Sequence, residues 1–174
     1  MKRAPVAIVG SSQPGFTLFE LVIVLFIILC LMALLVPHVG IVVSKARTVR
    51  AISDCKRVGD AMLTWVIVHG GAPTPTVVGD AVDVGRYTPI DVDTLRSLLV
   101  PDYLVRVPDL DPWGHPYQYF LDERDPTGSD VALCASGGSD GSLVSGAYTI
   151  GATDPADSTE DIVWADGNFI RWPQ

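Results

Sequence analysis

Phe16-Thr17-Leu18-Phe19-Glu20-Leu21-Val22-Ile23-Val24-Leu25-Phe26-Ile27-Ile28-Leu29-Cys30-Leu31-Met32-Ala33-Leu34-Leu35-Val36 is a run of 21 residues that carries one charge, Glu20. As a helix it would extend about 30 Å, the thickness of a bilayer's hydrocarbon core. The run also resolves a conflict of composition. The chain of 174 residues is 48% hydrophobic yet carries a formal charge of −8. One apolar segment joined to an acidic domain satisfies both facts. The length allows one domain with a modest core besides the apolar run.

Outward from the run the charges separate. Lys2 and Arg3 precede it, and Lys45, Arg47, Arg50, Lys56 and Arg57 follow it. Residues 70–174 then hold five arginines against seventeen acids. A basic stem therefore carries an acidic head, which argues against nucleic-acid binding because phosphate contacts need Lys and Arg. Three cysteines are present, Cys30 within the apolar run and Cys55 and Cys134 beyond it. The latter two could pair if exported, or remain thiols.

A secretory signal does not explain the start of the chain. The apolar run is too long for a signal core, and no small-x-small site follows it. Ser11-Ser12-Gln13-Pro14-Gly15 stands instead before the run, as a polar leader ending in glycine. Glu20 is also out of place for a plain anchor. A carboxylate inside a bilayer costs roughly 2.5–3.5 kcal/mol and needs a partner unless it reaches the interface.

Gly15-Phe16-Thr17-Leu18-Phe19-Glu20-Leu21-Val22-Ile23 resembles the processing motif of type IV prepilins and type II secretion pseudopilins. The resemblance implies cleavage between Gly15 and Phe16 by prepilin peptidase, N-methylation of Phe16, and a docking role for Glu20 against the free amine of a neighbouring subunit. Asp111-Pro112-Trp113-Gly114-His115-Pro116-Tyr117 and Ser136-Gly137-Gly138-Ser139-Asp140-Gly141, with Glu160-Asp161-Ile162, resemble the major pseudopilin. The implied fold is α+β and type IV pilin-like, a long N-terminal helix on a small antiparallel sheet. The expected divisions are a leader at 1–15, a transmembrane helix at 16–36, its amphipathic continuation at 37–69 and an extracytoplasmic head at 70–174. The implied partners are copies of the chain in a helical filament, minor pseudopilins, an inner-membrane platform protein and an assembly ATPase. A true pilin, a minor subunit and a membrane-anchored binding domain that never polymerises are the rival readings.

Pro37 and Gly40 predict a kink or short break at 36–41. Past it, Val42, Ala46, Val49, Ile52, Cys55, Gly59, Met62 and Val66 suggest one apolar stripe, closed by Gly70-Gly71. In the head, residues 70–90 read as a loop with a short strand near 76–78. Residues 91–99 read as a helix capped by Asp91 and stopped by Pro101. Residues 117–121 and 131–135 read as one hairpin, and residues 162–164 and 168–172 as another around Asp166-Gly167.

In the pseudopilin family the loop between Asp140 and Asp161 wraps a structural calcium ion, which takes six to eight oxygens. The resemblance implies Asp140 and Asp161 as ligands here, then Asp157. The loop departs from the family by its length and by Ala147-Tyr148-Thr149-Ile150. No enzyme is expected: the chain has no phosphate loop or zinc motif, and His38, His69 and His115 are scattered.

Overall fold

The computed structural model of the protein describes residues 15–174, the side chains of residues 34–39 excepted. Of the expected leader, only Gly15 falls among the described residues. Among the described residues the fold is α+β: one long helix, a short second α-helix and eight strands in two sheets. Contacts divide the chain between Gly40 and Ile41 into two compact units.

Helix α1 (Leu18–Val68) is one unbroken element. The short break expected at residues 36–41 does not interrupt it. Proline removes one backbone donor, and the turns on either side keep theirs. The helix closes where Gly70 adopts φ +87°. There Gly70 donates to the Ile67 carbonyl at 3.0 Å and Gly71 donates to the Val66 carbonyl at 2.9 Å. This paired closure satisfies carbonyls that the helix would otherwise leave open.

The second unit begins at Ile41, so the amphipathic part of α1 belongs with the head by its contacts. Its buried stripe is Thr48, Ala51, Cys55, Val58, Met62 and Trp65, at spacings of 3, 4, 3, 4 and 3. The stripe read from sequence is right from Ile52 onward, Ile52 being partly buried against the core, and wrong before it. Val42 and Val49 are exposed. The reason is angular: three successive steps of three residues turn a stripe by about 180° at roughly 100° per residue. Ala46 and Cys55 therefore lie on opposite sides of the helix. Lys45, Arg47, Arg50, Lys56 and Arg57 are exposed, as a solvated face should be.

The larger sheet has the order β3 (Gln118–Leu121), β4 (Ala132–Ser136), β7 (Ile162–Ala165), β8 (Asn168–Pro173) and β6 (Gly151–Thr153). Its pairings are antiparallel except that of β6 with β8. The smaller sheet has β1 (Val77–Val78), β2 (Ala81–Asp83) and β5 (Ala147–Thr149). Strands β4 and β7 are buried on both faces. On one face Ala132, Cys134, Ile162 and Trp164 join the stripe of α1, together with Leu95 and Leu99 of α2 (Val92–Leu99). On the other face Leu133, Ala135, Val163 and Ala165 meet Val82, Tyr87, Tyr148 and Ile170. Continuous apolar strands, rather than alternating ones, follow from this double cover.

Asp91 caps α2 by accepting from the Asp93 N–H, and the β7–β8 hairpin turns at Asp166 and Gly167, φ +43° and +99°. Both were legible in sequence, as was the β3–β4 hairpin. The segment at 147–153 was not. It supplies β5 to one sheet and β6 to the other.

Candidate functional site

At the N-terminal end, Thr17 and Glu20 hold each other. The Glu20 N–H donates to the Thr17 hydroxyl at 3.2 Å, and the Thr17 N–H donates to Glu20 Oε2 at 3.4 Å. Thr-x-x-Glu at a helix start is a capping box, in which two orphan backbone donors find partners. The pattern is readable in Thr17-Leu18-Phe19-Glu20, and the sequence reading missed it. Glu20 thus already has a structural task in the single chain.

Phe16, Leu18, Phe19 and the large side chains from Leu21 to Met32 are exposed, Phe16 to 80%. Apolar surface on every side of a helix requires lipid or other helices around it. Among the described residues no helix is long and apolar enough to cross a membrane. In the sequence the apolar run continues to Val36. Pro37 lies among the residues whose side chains are not described. Gly40 is exposed, with open space where a side chain would stand.

The two head motifs form one structure. Asp111 is buried and accepts from the Trp113 N–H at 3.0 Å, the His115 N–H at 2.9 Å and the Ser136 hydroxyl at 2.9 Å. One carboxylate thereby ties the Asp-Pro-Trp-Gly turn to the end of β4. The His115 ring lies on Gly141, φ +70°, where an added Cβ would meet the ring at 2.6 Å. Gly138, φ +62°, lies as tightly against the Ser158 and Glu160 carbonyls. Two loops far apart in sequence can approach this closely only because neither glycine has a side chain.

Among the acids expected to act together, the structure brings two into one cavity. Asp140 and Asp161 line a space of about 290 Å³ with Ser142, Tyr148, Glu160 and Arg171. Asp157 is not among its lining residues; its carboxylate accepts from the Thr159 N–H at 2.9 Å and hydroxyl at 2.6 Å, fully exposed. Asp161 is held by the Tyr148 hydroxyl at 2.5 Å and the Val144 N–H at 3.0 Å. Burial pushes the Asp161 carboxyl above its usual range, these two donors pull it back, and the charge of Asp140 adds to the rise. Burial and the Asp161 carboxylate both push the Tyr148 phenol well up. Among the described residues no group of three or more His, Cys, Asp or Glu side chains converges. Of the three carboxylates lining the cavity, Glu160 is held by Arg171 and Asp161 Oδ2 by its two donors, so the side chains alone supply fewer than the six to eight oxygens that calcium takes. Tyr148 and Arg171 are the site residues that the sequence reading missed.

Cys55 on α1 and Cys134 on β4 are buried free thiols of one core cluster.

Residues 10–36 match the prokaryotic N-terminal methylation motif. Over 106 residues the chain is 34% identical to the type II secretion system core protein G of Aeromonas hydrophila, covering 61% of this chain and 71% of that protein. Over 108 residues it is 32% identical to the protein of the same name from Pseudomonas aeruginosa, covering 62% and 73%. No solved structure matches the chain. With that cover and identity, and with the methylation motif at its apolar end, the chain belongs to the family of type II secretion system core protein G, the major pseudopilins.

Proposed function

We propose that the protein is the repeating, non-enzymatic subunit of a secretion pseudopilus, anchored in the inner membrane by residues 16–36 with its head outside the cytoplasm. Prepilin peptidase cuts between Gly15 and Phe16, and Phe16 is N-methylated. An assembly ATPase and a membrane platform protein lift each subunit from the bilayer beneath the last one, and minor pseudopilins start the fibre. Pro37 and Gly40 give the helix a place to yield when neighbouring stems pack. The growing fibre drives exported proteins outward.

The observation that carries this reading is the helix end itself. Apolar surface surrounds it on all sides, and its one charge, Glu20, stands four residues from the proposed new terminus. In lipid that charge is costly, and a neighbour's α-amino group would neutralise it. The subunit whose amine reaches Glu20 is then set in axial register.

The capping box makes the test sharper. Glu20→Gln keeps a capping side chain at that position and removes the charge. Glu20→Ala removes both. The account expects both variants to fold, enter the membrane and fail to form fibres when the secretion genes are overexpressed. Normal fibre yield from Glu20→Gln would assign Glu20 to helix capping alone and refute the docking role.

A further inference from the structure

The acidic loop meets a cation from β8, Arg171. Glu160 and Asp161 are adjacent acids that turn to different partners. Glu160 Oε2 accepts from Arg171 Nη2 at 2.7 Å. Asp161 Oδ2 accepts from the Tyr148 hydroxyl at 2.5 Å, with the Val144 N–H on the same oxygen. Asp140 turns inward on its own loop and accepts from the Ser142 N–H at 3.0 Å.

Both donors are set by the sheets. Tyr148 is the middle residue of β5, paired with Val82 of β2, and Arg171 on β8 pairs with Gly151 of β6 and Val163 of β7. Tyr148 and Gly151 both belong to the segment 147–153, which supplies β5 and β6. That segment therefore delivers the phenol to Asp161 and flanks the strand that delivers the guanidinium to Glu160. The Tyr148 hydroxyl and the Val144 N–H both occupy Asp161 Oδ2, so a divalent ion between Asp140 and Asp161 would compete with them for that carboxylate. It would also lie in the same cavity as the Arg171 positive charge, where like charges repel.

We infer that this head closes its acidic loop with Tyr148 and Arg171 in place of a divalent cation, so that its stability is independent of calcium. Arg171 supplies the positive charge and Tyr148 the hydrogen bond that a metal would otherwise provide. The inference concerns the folding of the head and is separate from the assembly reading. Either can fail while the other stands.

The test is thermal unfolding of the full-length protein in detergent, followed by tryptophan fluorescence, in chelator and in millimolar calcium chloride. Wild-type protein is expected to melt within about a degree of the same temperature in both, because a ligand that does not bind the native state adds no stability. Tyr148→Phe and Arg171→Ala are each expected to melt several degrees lower in chelator, since each leaves a partly buried carboxylate short of a partner. A rise of several degrees in wild-type protein on adding calcium, reversed by chelator, would overturn the inference, and that arm needs no variant to fold. Wild-type melting temperatures for both variants in chelator would equally overturn it.

Discussion

Replacing Gly59 by alanine tests how α1 is seated on the sheet. Gly59 is buried in the stripe of α1 that faces β7. A Cβ added there would lie 2.4 Å from Cδ2 and Cε3 of Trp164 and 2.7 Å from Cε2. Carbon atoms in contact prefer about 3.5–4.0 Å, so the ring or the helix must withdraw by about 1 Å. Trp164 is fully buried and heads the large buried side chains, so the ring has no free space to move into. Overpacking of this kind costs about 1–3 kcal/mol. Exchanging glycine for alanine inside a helix returns up to about 1 kcal/mol. A 2.4 Å approach belongs in the upper part of the overpacking range, so the expected net loss is about 1–2 kcal/mol, a fall in Tm of about 3–8 °C for a unit of this size. Thermal unfolding read by Trp fluorescence and by circular dichroism measures it. Gly40→Ala is the control. It has open space at its Cβ and lies outside the second unit, so the melting of the head should not move. An unchanged or raised Tm for Gly59→Ala would refute the close approach of α1 to Trp164 and the packing built on it.

Asp130 gives a pH dependence. Its burial alone would raise the carboxyl pKa, but the Thr76 N–H and Arg86 outweigh burial and hold it below its usual value. A depressed folded-state pKa gives stability that is complete above the unfolded value, about 4, and lost as pH falls through the folded value. Asp130→Asn should therefore lower the Tm at neutral pH and converge with wild type toward pH 2; parallel curves from pH 7 to pH 2 would rule the contact out. The cysteines give a labelling pattern. Burial pushes the Cys134 thiol well above its usual range, with Cys55 beside it adding to the rise, while Cys30 is exposed. Alkylation of native protein in mild detergent should spare Cys55 and Cys134, with both reacting after denaturation. Rapid native labelling at Cys134 would contradict the packing of β4 on α1.

Much of this molecule is legible in its sequence because the physics there is local. An apolar run of this length fixes a helix, Asp91 before an amphipathic turn fixes a cap, and Asp-Gly between apolar strands fixes a hairpin. The buried stripe of α1 was readable only where spacings of three and four alternate; the run of threes from Ala46 to Cys55 misled. The capping box of Thr17 and Glu20 is local too, written in Thr17-Leu18-Phe19-Glu20. The remainder depended on contacts between distant residues. Nothing near Tyr148 predicts that it reaches Asp161, because that depends on β5 pairing with β2, some 65 residues away. Arg171 reaches Glu160 only once β8 lies beside β7 and β6. The separation of Asp157 from Asp140 and Asp161 likewise follows from a turn at Thr159 that closes on its own backbone.

The central claim is that the chain is a processed filament subunit, and the N-terminal residue of the mature protein tests it most directly. Intact-mass and N-terminal analysis of protein taken from membranes that contain an active prepilin peptidase should give a chain beginning at Phe16 with a methylated amine. Protein that keeps residues 1–15 under those conditions would contradict the account.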